Sequence, residues 1–240
     1  MPTMDDAFRE FNETDWRTFY TFSALSTFES FWKEIERMVS SDASIEEMLN
    51  GPKWEPTTHD EIAEYLGDKR IARCLHDEVI TPTFRYAAIV ILFTIFEREL
   101  KRFVDNAAKE RQAPITYKDL KGGLLEQVSK YTEAFCGFSL SSLPGYICIL
   151  DLQKVRNCVV HCLGNPDLVP EAQRTKLLKL HCPAKGLDIS EGAPIEINPV
   201  FIESSLAATR DFFRALFIQL GWKINDRWQA GSSADQTGKP

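Results

Sequence analysis

The chain has 240 residues, of which 44% are hydrophobic and 26% charged, and its formal net charge is −7. That balance belongs to an ordinary soluble globular protein, long enough for one large domain or two small ones. It excludes a generally basic surface of the kind that coats nucleic acid, but leaves room for a small cationic cleft.

The N-terminal MPTMDDAFREF is acidic and lacks an apolar core, so no secretory signal is expected, and residues 1–13 read as an irregular or short helical lead. From Asp15 to about Val39, Trp16, Phe19, Phe22, Leu25, Phe28, Phe31, Trp32, Ile35 and Met38 recur at mostly helical spacing. So dense a set of aromatics predicts a helix buried on more than one side, as core and not as a platform for stacked bases. Ser44 with Glu47 and Thr58 with Glu61 are capping-box patterns that open short helices, broken by Gly51-Pro52 and by Gly67. A further helical piece, Asp68 to Ile80, carries Lys69, Arg70, Arg73 and His76, which read as a solvated face in preference to a basic partner-facing surface.

Thr81-Pro82 has the cap-then-proline form of a helix start, and the longest helix is expected from there to about Gln112. Its apolar run, Tyr86 to Phe96, is 11 residues long. A membrane span needs about 20, so this is a core helix and no membrane partner is expected. The second half alternates charge. There Glu97 and Glu99 lie on a strongly charged surface segment; one of them is a candidate to face Arg156 across the bundle, and acid–base work is a weaker reading. After Pro114, Thr116 and Asp119 open a helix to about Phe135, interrupted at Gly122-Gly123.

The most informative stretch is Leu143 to Pro166, LPGYICILDLQKVRNCVVHCLGNP. Ser141 and Ser142 are candidate caps, Pro144 suits a first turn, and Gly164-Asn165-Pro166 is a stop. Helical winding puts Cys148, Ile149, Leu152, Val155, Val159, Val160 and Leu163 on one broad apolar face with Arg156 in its middle. Lys154, Asn157 and His161 form a polar stripe beside it. A charge on an apolar face must snorkel, pair with a carboxylate or serve a site.

The segment RNCVVH, Arg156 followed by a polar residue and then His161, resembles the signature of the HEPN superfamily. The likeness extends to its setting of long amphipathic helices and covers roughly Thr81 to Trp228. It implies an all-α bundle of antiparallel helices and, in many members, a metal-independent endoribonuclease without cofactors. By that resemblance Arg156, Asn157 and His161 are the catalytic set; Lys154, from the polar stripe, and Glu97, from the charged half of the long helix, are candidate supporting residues. It also implies a homodimer in which two motif helices meet across a two-fold axis, an RNA substrate, and an inhibitor or antitoxin partner as in toxin–antitoxin and anti-phage systems.

The chemistry fits these residue types. Cleavage through the 2′-OH needs one group to accept a proton, one to donate it, and positive charge on the phosphorane-like transition state. A His serves the first or second need and an Arg fork the third. Asn157 stands one turn before His161, and the C-terminal turn of a helix carries partial negative charge, which suits a group that must hold a proton. Arg156 and His161, however, point about 140° apart on one regular helix and do not form a compact pair by spacing alone; the resemblance implies that dimerisation resolves this, residues of two motif helices building one cleft.

Past the motif, Glu171 to Leu180 reads as a short amphipathic helix and LDIS-EG-APIEI as a small hairpin turning at Gly192. Asn198-Pro199 opens a final helix that stops at Gly221, and the tail from Gln229 reads as disordered. The expected fold is therefore all-α, with residues 1–80 as an N-terminal helical extension, 81–228 as the bundle, 229–240 as tail, and one hairpin. Six cysteines without small-domain spacing read as free thiols in a reducing cytoplasm. Competing readings are a zinc site using Cys158, His161, Cys162, His181 and Cys182, which lack a usual zinc spacing, and Cys–His nucleophilic catalysis, which lacks an activating setting for any thiol. A HEPN-like module that binds RNA, nucleotide or protein without cutting is the main alternative. A helical interaction protein with a structural Arg156 is another.

Overall fold

A computed structural model describes residues 15–40 and 58–225. The lead 1–13, the Ser44–Glu47 cap, the Gly51-Pro52 break and the tail from Gln229 lie outside them. Within them the chain is all-α with one small antiparallel hairpin. The α-helices are α1 (Trp16–Val39), α2 (His59–Leu75), α3 (Thr81–Arg111), α4 (Leu124–Tyr131), α5 (Tyr146–Cys162), α6 (Glu171–Leu178) and α7 (Pro199–Gln219). The hairpin strands are β1 (Leu187–Asp188) and β2 (Glu196–Ile197), with Leu187 opposite Ile197 and Gly192 left-handed in the turn at φ 80°. Residues 15–27, 92–153 and 204–225 form one compact unit; 28–40, 58–91 and 154–203 form the other.

The first unit is built on packed aromatics. Phe96 meets Phe212 and Phe213 at centroid distances of 5.7 and 5.6 Å, Phe103 meets Trp222 at 5.4 Å, and Phe22 meets Phe217 at 5.9 Å. Offset and edge-on pairs of this kind add about 0.5–1.5 kcal/mol each beyond their burial. Residue spacing on α7 makes this possible: Phe212, Phe213, Leu216 and Phe217 share one face, and all four are buried. Among them sits a charge. Glu99 was expected on a charged surface segment, yet it is 1% exposed. Its carboxylate accepts from Thr21 Oγ1 at 2.9 Å and pairs with Arg98 at 2.9 Å and Arg102 at 3.2 Å. Alternating charge in the sequence hid which member of the run turned inward.

In the second unit Arg85 of α3 grips Glu36 of α1 through two nitrogens, Nη2 at 2.6 Å and Nε at 3.3 Å, and donates from Nη1 to the Ile197 carbonyl. The planar fork thereby ties two helices to the hairpin. Trp32, Ile89, Val155, Leu187 and Ile202 are buried core residues of this unit.

Several local expectations are corrected. The α-helical segment at Thr81–Arg111 has the expected bounds, but Thr81-Pro82 is not a free, capped start: helical structure runs without a break from His59 to Arg111, passing through Gly67 and a π-helical turn at His76–Ile80. Thr81 N–H bonds back five residues to the His76 carbonyl, so the helix is widened just ahead of Pro82, whose ring would crowd a tight α turn. The Thr58–Glu61 capping box forms as expected. The aromatic helix α1 is less buried than expected, since Trp16, Tyr20, Phe31 and Met38 are exposed while Phe22, Leu25, Phe28 and Trp32 are core. The run His59–Arg111 contains a stretch of mean hydropathy 1.8, long and apolar enough to cross a membrane by length and composition, of which 33% is buried. A core helix passes the same test.

Candidate functional site

The helix carrying the motif begins later than its caps predict. Leu140–Ser142 form a 3₁₀ turn, and Gly145 takes a left-handed φ of 79° before the helix opens at Tyr146. A β-carbon at Gly145 would lie 2.2 Å from the Ala208 carbonyl oxygen, so close packing against α7 fixes the start. The far end is fixed as firmly. Leu163 and Gly164 both adopt positive φ, 51° and 78°, and a β-carbon on Gly164 would lie 2.2 Å from the Tyr86 hydroxyl. That hydroxyl donates to the Ile195 carbonyl at 2.7 Å, and Ile195 N–H donates to the Gly164 carbonyl at 2.8 Å. Burial, with Cys158 and Glu196 nearby, pushes the Tyr86 phenol up to about 12.

The buried face of α5 is Ile149, Leu152, Val155, Cys158, Val159 and Cys162. Cys148, Val160 and Leu163, expected on that face, are exposed. The face is narrower and rotated toward the two cysteines, and Leu163 falls beyond the last helical turn. Arg156 is therefore at the edge of the apolar face and only partly buried, with Nη1 donating to Asn157 Oδ1 at 3.1 Å.

On the Cys158–Cys162 side of α5 lies a cleft of about 520 Å³. One wall is the polar stripe of α5: Lys154, Asn157 and His161, spaced so that one helix face carries all three. The other wall is the start of α6, with Val169, Pro170, Gln173 and Lys176. Cys158, Cys162 and Leu177, all buried, make the floor. Helix α6 is held in place by Arg174, whose Nη2 meets Asp167 at 3.1 Å and Glu191 at 2.8 Å, while Gly192 N–H donates to Asp167 at 2.8 Å. Those contacts lock the loop after α5 to the hairpin turn.

The lining holds two lysines, a histidine and two side-chain amides, and no carboxylate. Within a chain of net charge −7, that is a local surplus of cation and hydrogen-bond donors. Burial, reinforced by Cys162 next to it, pushes the Cys158 thiol up to about 11, so it is protonated at neutral pH and is a floor group, not a nucleophile. Among the described residues no group of three or more His, Cys, Asp and Glu side chains is disposed to hold a metal ion. His181 is taken up by the hairpin, accepting from Ile189 N–H at 3.2 Å.

Of the residues singled out from the sequence, Lys154, Asn157 and His161 come together in the cleft. Arg156 donates to Asn157 and is not itself in the lining. Glu97 is partly buried on α3 in the other compact unit and is not a cleft residue. Gln173 and Lys176 were missed. Their spacing on one side of α6 with Leu177 was visible, but nothing in the sequence said that this side would close on α5.

No protein-family model matches the chain, and no curated protein or solved structure is detectably similar to it.

Proposed function

We propose that this protein is a metal-independent endoribonuclease of the HEPN type, cleaving RNA through attack of the 2′-OH. The observation that carries the reading is the meeting of His161, Asn157 and Lys154 in a cleft without carboxylates, beside the arginine of the RNCVVH signature. His161 transfers the proton, Lys154 neutralises phosphate charge, and Asn157 orients the phosphate or the imidazole. The active unit is a two-fold dimer. What supports a second chain is that Arg156 is not in the lining of its own cleft, so a partner's guanidinium completes the charge on the transition state. The protein works in a reducing cytoplasm, consistent with six free cysteines, and is held in check by an antitoxin-like inhibitor.

The test is cleavage of a single-stranded RNA in excess chelator, with product ends identified by mass. The reading expects 2′,3′-cyclic phosphate ends and a rate per chain that falls on dilution. Activity that disappears in chelator and returns with a divalent ion would overturn it.

One observation favours a second reading. The Arg156 fork is engaged with Asn157 rather than aimed into the cleft, as suits a module of this type that binds RNA or nucleotide without cutting it.

A further inference from the structure

Helix α6 adds something the RNCVVH signature does not contain. It brings Lys176 and Gln173 opposite the α5 stripe and lays Leu177 beside Cys158 and Cys162 as an apolar floor. The cleft is thus divided by chemistry: cationic groups on its walls, an uncharged base to it, and an amide able both to donate and to accept on one side. Its volume of about 520 Å³ is in the range of small-ligand sites, roughly 300–1,000 Å³. Inorganic phosphate would leave the floor unused, and an apolar ligand would leave two ammonium groups facing it.

We propose that this cleft is a subsite for one nucleotide, with the phosphate held by Lys154 and Lys176, the base laid on the Cys158, Cys162 and Leu177 floor, and Gln173 bonded to the edge of the base. This rests on the reading of α5 as the RNA-facing helix and assigns α6 the task of positioning and selecting the nucleotide beside the scissile phosphate. Lys176 and Gln173 are both exposed side chains, so replacing either leaves the packing beneath them intact. Phosphate contact through lysine is a point-charge interaction, and its contribution falls with added salt.

Calorimetric titration of the full chain with adenosine 3′-monophosphate, uridine 3′-monophosphate and inorganic phosphate at low salt tests it. Both nucleotides should bind at least about tenfold more tightly than inorganic phosphate. Lys176→Ala should weaken all three about tenfold, and Lys176→Arg should restore most of the loss. Gln173→Ala should change the ratio between the two nucleotides while leaving inorganic phosphate unchanged. Equal affinity for nucleotide and phosphate, or indifference to Lys176→Ala, would overturn the subsite. RNA cleavage that depends on His161 without Lys176-dependent nucleotide binding would overturn the subsite and leave the nuclease reading standing. Nucleotide binding that depends on Lys176 without any RNA cleavage would do the reverse.

Discussion

Two places in this molecule gather charge, and they do so in opposite ways. Around Glu99 a single carboxylate is taken fully out of water and bound by Thr21, Arg98 and Arg102. In the cleft between α5 and α6, lysines, a histidine and amides line an open volume that no carboxylate enters. The first arrangement is closed: each charge has its counterpart in the chain, and its effect is on folding. The second has no carboxylate in its lining, which leaves room there for an anionic ligand. Burial and partnering together, not charge alone, separate a structural ion cluster from a binding site.

The largest effect expected from breaking this contrast is at the closed end. Glu99→Ala removes the carboxylate that Thr21, Arg98 and Arg102 share, leaves the buried Thr21 hydroxyl without that acceptor, and should lower unfolding free energy by about 2–4 kcal/mol in denaturant titration. A loss below about 1 kcal/mol would mean the cluster is not the structural element described. Next comes the point where the fold holds the site in place. Gly164→Ala must adopt a positive φ and displace the Tyr86 hydroxyl, and should cost about 1–3 kcal/mol. Combined with Tyr86→Phe, the loss should be less than the sum of the two single losses, because displacing the Tyr86 ring already breaks the bond to Ile195 that Tyr86→Phe removes.

A pH series sharpens the account of the cleft floor. The Cys158 thiol ordinarily titrates near 9.0 and is pushed up to about 11 in the fold, chiefly by burial. The unfolded chain therefore releases its proton first as pH rises. The stabilisation is complete below pH 9 and is lost as pH climbs toward 11, on the order of 2 kcal/mol. Cys158→Ala should flatten the alkaline limb of stability against pH, after allowance for a constant loss from the smaller side chain. The smallest effect is at the open end: His161→Ala should change stability by no more than about 0.5 kcal/mol, because the side chain is exposed.

How much was legible in the sequence follows the same division. Periodicity and capping identified the α-helical class, the capping box at Thr58, the hairpin and the start of α7, because each depends on residues close together in the chain. The stripe Lys154–Asn157–His161 was legible for the same reason. What failed depended on distant neighbours. The start of α5 is set by the Ala208 carbonyl against Gly145, and the helix through Pro82 by a π turn before it. Glu99 lies inside because Thr21, far off in sequence, meets it there. The α6 wall of the cleft belongs to this group, since its position comes from Arg174 bridging Asp167 and Glu191.

The central claim is that the α5 stripe performs chemistry on RNA, and the most direct measurement is the initial rate of cleavage by wild type and His161→Ala in chelator, with helical content of both checked by circular dichroism. The account predicts that wild type cleaves and that His161→Ala, equally folded, is slower by about 10²–10⁴-fold. A folded His161→Ala protein that cleaves at the wild-type rate, or a wild type that leaves single-stranded RNA intact, would contradict it.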